Sequence, residues 1–246
     1  MTTDERRIEL SDVGFDALDA PAALDALQRL YERPEPAWAA HANVHTVNLA
    51  WGDPRYRAAL DRADLVLNDG KGVMLGARIK GSRFPADLNG NFVAPLVLTR
   101  AAEEGWPVYF FGAAPGVAEL AAQRVVQGIP GLKIVGTRNG FFTPGEEASV
   151  IENIRASGAG LLLVGLGNPR QEVWLDRNLA ATGARLGIGV GAFFDFEAGA
   201  VKRAPGWMNK IGVEWLHRLL VEPRRMWRRY LIGNPQFLWR TLKERR

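Results

Sequence analysis

The chain of 246 residues contains no cysteine and only three histidines. The first absence excludes disulfides and thiolate-bound metal. His41, His45 and His217 are scattered, so no Ser-His-Asp arrangement can be argued from them. Each reads as a packed or surface side chain rather than a catalyst. Long apolar runs are lacking too: the most apolar stretch, Leu186 to Phe194, stops at Asp195, well short of the ~18 continuous apolar residues that a membrane span requires. The opening MTTDERRIEL is charged from residue 4 and leads into no apolar core, so no signal peptide is expected. A cytoplasmic protein follows, with membrane contact only from the inner face and only peripheral.

Charge is present but unevenly spread. The net +4 conceals a C-terminal segment, residues 202–246, with twelve Lys and Arg against three Asp and Glu, a balance of +9. Residues 1–201 carry nineteen against twenty-four, a balance of −5. The basic segment also holds Trp207, Trp215, Trp227 and Trp239, four of the eight tryptophans. A surface of this kind suits anionic partners: phosphorylated substrates, anionic headgroups or nucleic acid. The plainer alternative is a solvated helical face.

Across the first 200 residues, short apolar runs alternate with Ala/Leu/Arg-rich stretches of helical period, the α/β signature. Strands are predicted at 38–44, 63–67, 108–111, 132–135, 161–164 and 186–190, and most are continuously apolar, as in a parallel sheet covered on both faces. Helices are predicted at 54–62, 92–104, 115–126, 144–156 and 169–181, four of them with proline in the first turn. Segments 7–10 and 13–15 suit a small hairpin. Beyond Ala200, Pro205, Pro223 and Pro235 divide the chain into two or three short helices. These cannot build their own core, so they must pack on the body, on another subunit or on a membrane. The organisation expected is an α/β catalytic domain over 1–201 and a basic, Trp-rich appendage over 202–246.

In a parallel α/β sheet, ligands gather beyond the carboxyl ends of the strands, which directs suspicion to the residues after each one. The first strand is followed by Asn43, His45, Thr46 and Asn48. Asp69 closes the second and enters a glycine turn, placing a carboxylate where a general base is needed; alternatively it only shapes the loop. Gly112 to Gly116 leads into a helix whose amides could hold phosphate, or forms a plain turn. In GLGNPRQE, residues 165–172, Gln171 and Glu172 occupy the first turn of a helix and face the crevice, with Asn168 just before them. The plainer alternative is that Glu172 only complements the helix dipole and Gln171 is solvated. Asp195 and Glu197 suggest a metal pair, but other ligands are hard to supply. In the tail, Arg225, Arg228 and Arg229 follow Pro223 on one helical face, and Arg218 lies seven residues before Arg225. Such a face can clamp phosphate while tryptophans rest at a membrane interface, unless they serve to fix the tail to the core.

Taken together, the motifs resemble those of the WecG/TagA/CpsF family of bacterial glycosyltransferases. The likeness rests on NVHTVN (43–48), ADLVLNDGKGV (63–73), VYFFGAAPGVAELAA (108–122), PGLKIVGTRNGFF (130–142), LLLVGLGNPRQEVWL (161–175) and the stretch from Gly189 to Leu231 with R-A-P-x-W and E-W-x-x-R. The resemblance implies a Rossmann-like fold and inverting, metal-independent transfer of an N-acetylmannosamine-type sugar, or its uronic acid, from a UDP donor. The acceptor would be a polyprenyl-diphosphate-linked sugar in cell-surface polysaccharide synthesis, with no cofactor. It further implies Asp69 as general base, Thr46, Asn48 and Gln171 as pocket residues, and Arg218, Arg225 and Arg228 as the basic residues that meet diphosphate. Gly112, Asn168, Glu172 and Arg83 complete the candidate substrate-binding set.

One departure marks this chain. Where the family usually shows R-x-x-G-x-D-L, residues 83–93 read RFPADLNGNFV, and alignment on Gly90 puts Phe92 in place of the acid. Either Asp87 substitutes for it, or this loop recognises a different acceptor or donor, which leaves the sugar open. The rival reading is a non-catalytic nucleotide-binding protein whose tail binds nucleic acid, but the arginines alternate with Trp, Leu, Ile and Met in amphipathic proportion and match no nucleic-acid motif. No nucleic-acid partner is therefore expected, while an exposed apolar tail face would favour homo-oligomers.

Overall fold

The computed structural model describes residues 7–201, Met208 and residues 214–244. Two short strands, β1 (Arg7–Leu10) and β2 (Val13–Asp16), form an antiparallel hairpin and lead to helix α1 (Ala20–Glu32). There follow β3 (Ala37–Ala42), α2 (Val44–Gly52), α3 (Pro54–Asp61), β4 (Leu65–Asn68), α4 (Lys71–Ile79) and α5 (Gly90–Glu103). The second half runs β5 (Pro107–Gly112), α6 (Val117–Gly128), β6 (Lys133–Arg138), α7 (Glu147–Ala156), β7 (Leu161–Gly165), α8 (Arg170–Thr182), β8 (Leu186–Gly189) and α9 (Phe193–Glu197).

The six longer-range strands form one parallel sheet in the order β4-β3-β8-β7-β5-β6. Strands β3, β4, β7 and β8 are buried along their whole length, because helices cover both faces. One face packs Trp38, Val66, Leu162 and Trp174 with the hairpin and α2, α3, α7 and α8. The other packs Leu67, Phe110, Leu163 and Ile188 with α1, α5, α6 and α9. The α/β class, the parallel sheet and the hairpin agree with the sequence expectation.

The largest local difference lies after β3. The run Trp38 to Val44 reads as one strand, yet the strand ends at Ala42 and Asn43 caps a new helix. The Asn43 Oδ1 accepts the N–H of His45 and Thr46, at 3.0 and 3.2 Å, while the Asn43 N–H donates to Thr46 Oγ1 at 3.2 Å. This capping box satisfies donors that a helix start otherwise leaves unpaired. The segments 20–32 and 71–79 are likewise helical where the strand–helix alternation left them unassigned, and β6 extends to Arg138.

The tail contains α10 (Glu214–Val221), α11 (Pro223–Trp227), a π turn over Arg228–Ile232 and α12 (Gly233–Glu244). Helix α12 packs on α2 and α4. Phe237 is fully buried there, its ring against Gly76 and the core. Asn48 Nδ2 donates to the Gly233 carbonyl at 2.8 Å, and its Oδ1 accepts from Arg240, whose guanidinium lies over the Trp51 ring. Glu244 accepts from the Ser11 N–H and hydroxyl and pairs with Lys80 at 3.1 Å. Among the described residues of the tail, the glue is Phe237 rather than tryptophan: Trp215, Trp227 and Trp239 are exposed, and Trp207 lies outside the described residues.

Candidate active site

The strand order brings the carboxyl ends of β4, β3, β8 and β7 side by side, and the site is assembled there. Asp69 follows β4 and is half-buried, its N–H bonded to the Ala42 carbonyl of the neighbouring strand. Asn43 Nδ2 donates to Asp69 Oδ2 at 2.9 Å, which orients the carboxylate. The next residue, Gly70, has φ +92°, a conformation that side chains resist. Asp87 braces this turn: its Oδ1 accepts the Gly70 N–H at 2.9 Å, and its Oδ2 lies 3.6 Å from Lys71 Nζ. The departure at 83–93 therefore places a second carboxylate against the turn that follows Asp69.

His41, near the end of β3, is buried and holds β3 to β8 through Nδ1 and the Gly189 carbonyl at 2.9 Å. Because a carbonyl only accepts, Nδ1 carries the proton and the buried Nε2, which has no hydrogen-bond partner among the described residues, is left as an acceptor. Burial pushes the imidazole pKa down, opposed by the Gly189 bond and the Asp69 charge. The neutral ring is thereby favoured.

Beyond β7, Gln171 occupies the first turn of α8 and lies in the space that Gly189 leaves open: a Cβ on Gly189 would come within 2.9 Å of Gln171 Nε2. Its Oε1 accepts the N–H groups of Gly167 and Gly191, each at 3.2 Å, and its Nε2 donates to Glu172 at 2.8 Å. Asn168 Nδ2 donates to the same Glu172 oxygen at 2.6 Å. Glu172 is fully buried, and burial raises its pKa to about 7 against the bonds from Gln171, Tyr56 and Asn168.

The remaining candidates are dispersed. Thr46 is buried within the capping box, one turn into α2, and Asn48 is engaged by the tail. The structure therefore brings Asn43 and His41, rather than Thr46 and Asn48, to the end of β3. The sequence held one hint of this: asparagine is a preferred N-cap residue. Gly112 lies so close to Gly165 that a Cβ would come within 2.4 Å of its carbonyl, so its absent side chain permits β5 and β7 to meet. Arg83 is exposed, beside the buried Phe84. Arg228 is exposed in the π turn, over Trp227. Arg218 and Arg225 fall on α10 and α11, and their side chains lie outside the described residues. Asp195 and Glu197 lie on α9. Among the described residues, no three His, Cys, Asp or Glu side chains converge as a metal site would need.

A parallel sheet covered by helices on both faces makes this a Rossmann-like α/β fold, and a carboxylate, a fixed amide and open glycine turns lie on its carboxyl edge, where ligands gather in such folds. The chain matches the glycosyl transferase WecG/TagA/CpsF family over residues 8–246 and belongs to it. It is a glycosyltransferase. It is 32% identical over 197 residues to the N-acetylglucosaminyldiphosphoundecaprenol N-acetyl-beta-D-mannosaminyltransferase of Bacillus spizizenii, covering 80% of this chain and 75% of that protein. Membership of an enzyme family sets aside the non-catalytic reading of the fold.

Proposed function

We propose that the protein transfers an N-acetylmannosamine-type sugar from a UDP donor to a polyprenyl-diphosphate-linked sugar, in cell-surface polymer synthesis. The observation that carries this reading is the Asp69 carboxylate, held by Asn43 on the carboxyl edge of the sheet. The relative's name supports the sugar and acceptor class. In the reaction, the acceptor hydroxyl oxygen attacks the anomeric carbon as its proton passes to Asp69. The bond from that carbon to the diphosphate breaks, UDP leaves with the electron pair, and the configuration inverts. No second carboxylate nucleophile and no metal are needed in this scheme. Positive charge at the departing diphosphate falls to Arg218, Arg225 and Arg228, with Gln171 positioning the donor.

The same reading treats residues 202–246 as an appendage that meets the membrane. Trp215, Leu220, Trp227, Leu231, Trp239 and Leu242 are exposed along it, among arginines. Such a surface suits an anionic interface, and no helix among the described residues is long and apolar enough to cross a membrane. The test is incubation with a panel of UDP-sugars and a short-chain prenyl-diphosphate N-acetylglucosamine. UDP release should require the acceptor and fall by about 10²- to 10⁴-fold in Asp69→Asn. Release at the wild-type rate in that variant would remove Asp69 from the role of base.

A further inference from the structure

Two diphosphates take part in the reaction just described, one leaving with UDP and one carried by the acceptor lipid. Arg218, Arg225 and Arg228 serve the first, and the second needs a cation of its own. The surroundings of the base make that need greater: Asp69 is negative when it takes the proton, Asp87 lies against the same turn, and residues 1–201 have a balance of −5. A diphosphate brought into that field without a counter-ion is repelled.

The turn after Asp69 supplies one. Gly70 is tied by its N–H to Asp87 Oδ1 at 2.9 Å, and Gly72 lies so close to Val44 that a Cβ would come within 2.5 Å of Cγ2. The backbone of Lys71 is thus held on both sides, where the start of α4 meets the start of α2. Val44 follows Asn43, the residue whose amide holds Asp69. The Lys71 side chain is not so held: it is more than half exposed, and its Nζ lies 3.6 Å from Asp87 Oδ2, an ion pair beyond hydrogen-bond distance. Leaving that pair costs little, because exposed pairs are weak and Asp87 keeps the Gly70 N–H. Two other cations of these helices and of α12 are engaged: Lys80 pairs with Glu244, and Arg240 donates to Asn48 and covers Trp51.

We propose that Lys71 binds the diphosphate of the acceptor, turning from Asp87 to the phosphate oxygens as the acceptor hydroxyl reaches Asp69. The acceptor sugar carries both groups, the hydroxyl on one carbon and the diphosphate on its anomeric carbon. The two protein groups that meet them must therefore stand one sugar ring apart. A lysine two residues past the base, on a flexible four-carbon stem, meets that requirement. Asp87 has the opposing part: it holds the ammonium while no acceptor is bound and competes with the phosphate when one is.

The inference rests on the glycosyltransferase reading of Asp69, and the experiment separates the two. UDP release by the full chain is measured against the concentration of short-chain prenyl-diphosphate N-acetylglucosamine and, separately, of UDP-sugar, in the wild type, Lys71→Met, Lys71→Arg and Asp87→Asn. Lys71→Met should raise the acceptor KM by about tenfold to a hundredfold, as the loss of a charged hydrogen bond does, with the donor KM unchanged. Lys71→Arg, which keeps the charge, should restore most of the acceptor affinity. Asp87→Asn still offers an oxygen to the Gly70 N–H but drops the competing charge, so it should lower the acceptor KM by about two- to fivefold. Added salt should raise the acceptor KM of the wild type more steeply than that of Lys71→Met. An acceptor KM unchanged in Lys71→Met, an equal rise in Lys71→Met and Lys71→Arg, or a rise in the donor KM instead overturns the proposal. Calorimetry of the same acceptor without donor reads the contact in the absence of turnover, and Lys71→Met should weaken it by the same factor. A wild type that binds the acceptor yet releases no UDP would refute the function reading instead, and calorimetry would still decide the part of Lys71. A wild type that binds no acceptor refutes both.

Discussion

Replacing Phe237 by alanine should release the C-terminal helix while leaving the sheet folded. The ring is fully buried and fills the space over Gly76, where a Cβ would come within 2.5 Å of Cζ, and it belongs to the same core cluster as Leu10. Truncating a buried phenylalanine costs about 3–5 kcal/mol. Besides Leu238, which is only partly buried against the core, the other fasteners of α12 are polar and partly exposed: Asn48 with Gly233 and Arg240, and Glu244 with Ser11 and Lys80. Each such hydrogen bond or ion pair is worth about 1 kcal/mol or less. The apolar anchor therefore outweighs any one of them, and its loss shifts the docking equilibrium by roughly a hundredfold to a few thousandfold. Native-state hydrogen exchange reads this directly, because local opening and global unfolding protect different amides. Protection of the amides in 233–244 should fall by that factor, while those of β7 and β8 keep theirs. Equal losses in α12 and β7 would show that the helix is part of the body's cooperative unit. Unchanged protection in α12 would show that Phe237 is not the anchor.

Two further outcomes follow from the site. Gly189→Ala should push Gln171 out of place, since the new Cβ would meet its Nε2 at 2.9 Å; a loss of about 1–3 kcal/mol in urea unfolding, with reduced UDP release, is expected. An unaltered unfolding midpoint and rate would refute the packing argument. The second concerns pH and stability. Glu172 has a folded pKa of about 7 against an ordinary 4.5, so the folded state binds the proton more tightly than the unfolded chain. Its stabilising contribution is complete below the unfolded value and is lost as pH rises through about 7. The whole swing is about 3 kcal/mol. Glu172→Gln lacks it, so denaturation measured at acid and at neutral pH should show the variant gaining on the wild type by that amount. Parallel curves would show that Glu172 is not perturbed by burial.

The alternation of apolar runs and helical stretches determined a parallel α/β body, and the split of charge determined a basic tail, because both are local properties of the chain. The places of Asp69 and Gln171 were legible for a related reason: Asp69 immediately follows β4 and Gln171 lies in the first helical turn after β7, and strand ends in a parallel sheet are where ligands gather. Tertiary structure alone decided which strand ends are neighbours, and so that Asp69 beyond β4 and Gln171 beyond β7 share one edge across β3 and β8. It also decided the end of β3. Val44, His45, Thr46 and Val47 suit a strand by composition, but Asn43 can cap a helix and orient Asp69 at once, and that gain exists only when β4 lies alongside. Thr46 then falls inside the box, and Asn48, one turn on, faces α12. Phe237 is one apolar residue among many in the tail sequence. Only the gap over Gly76, a residue 161 positions away that brings no side chain of its own, makes it the anchor.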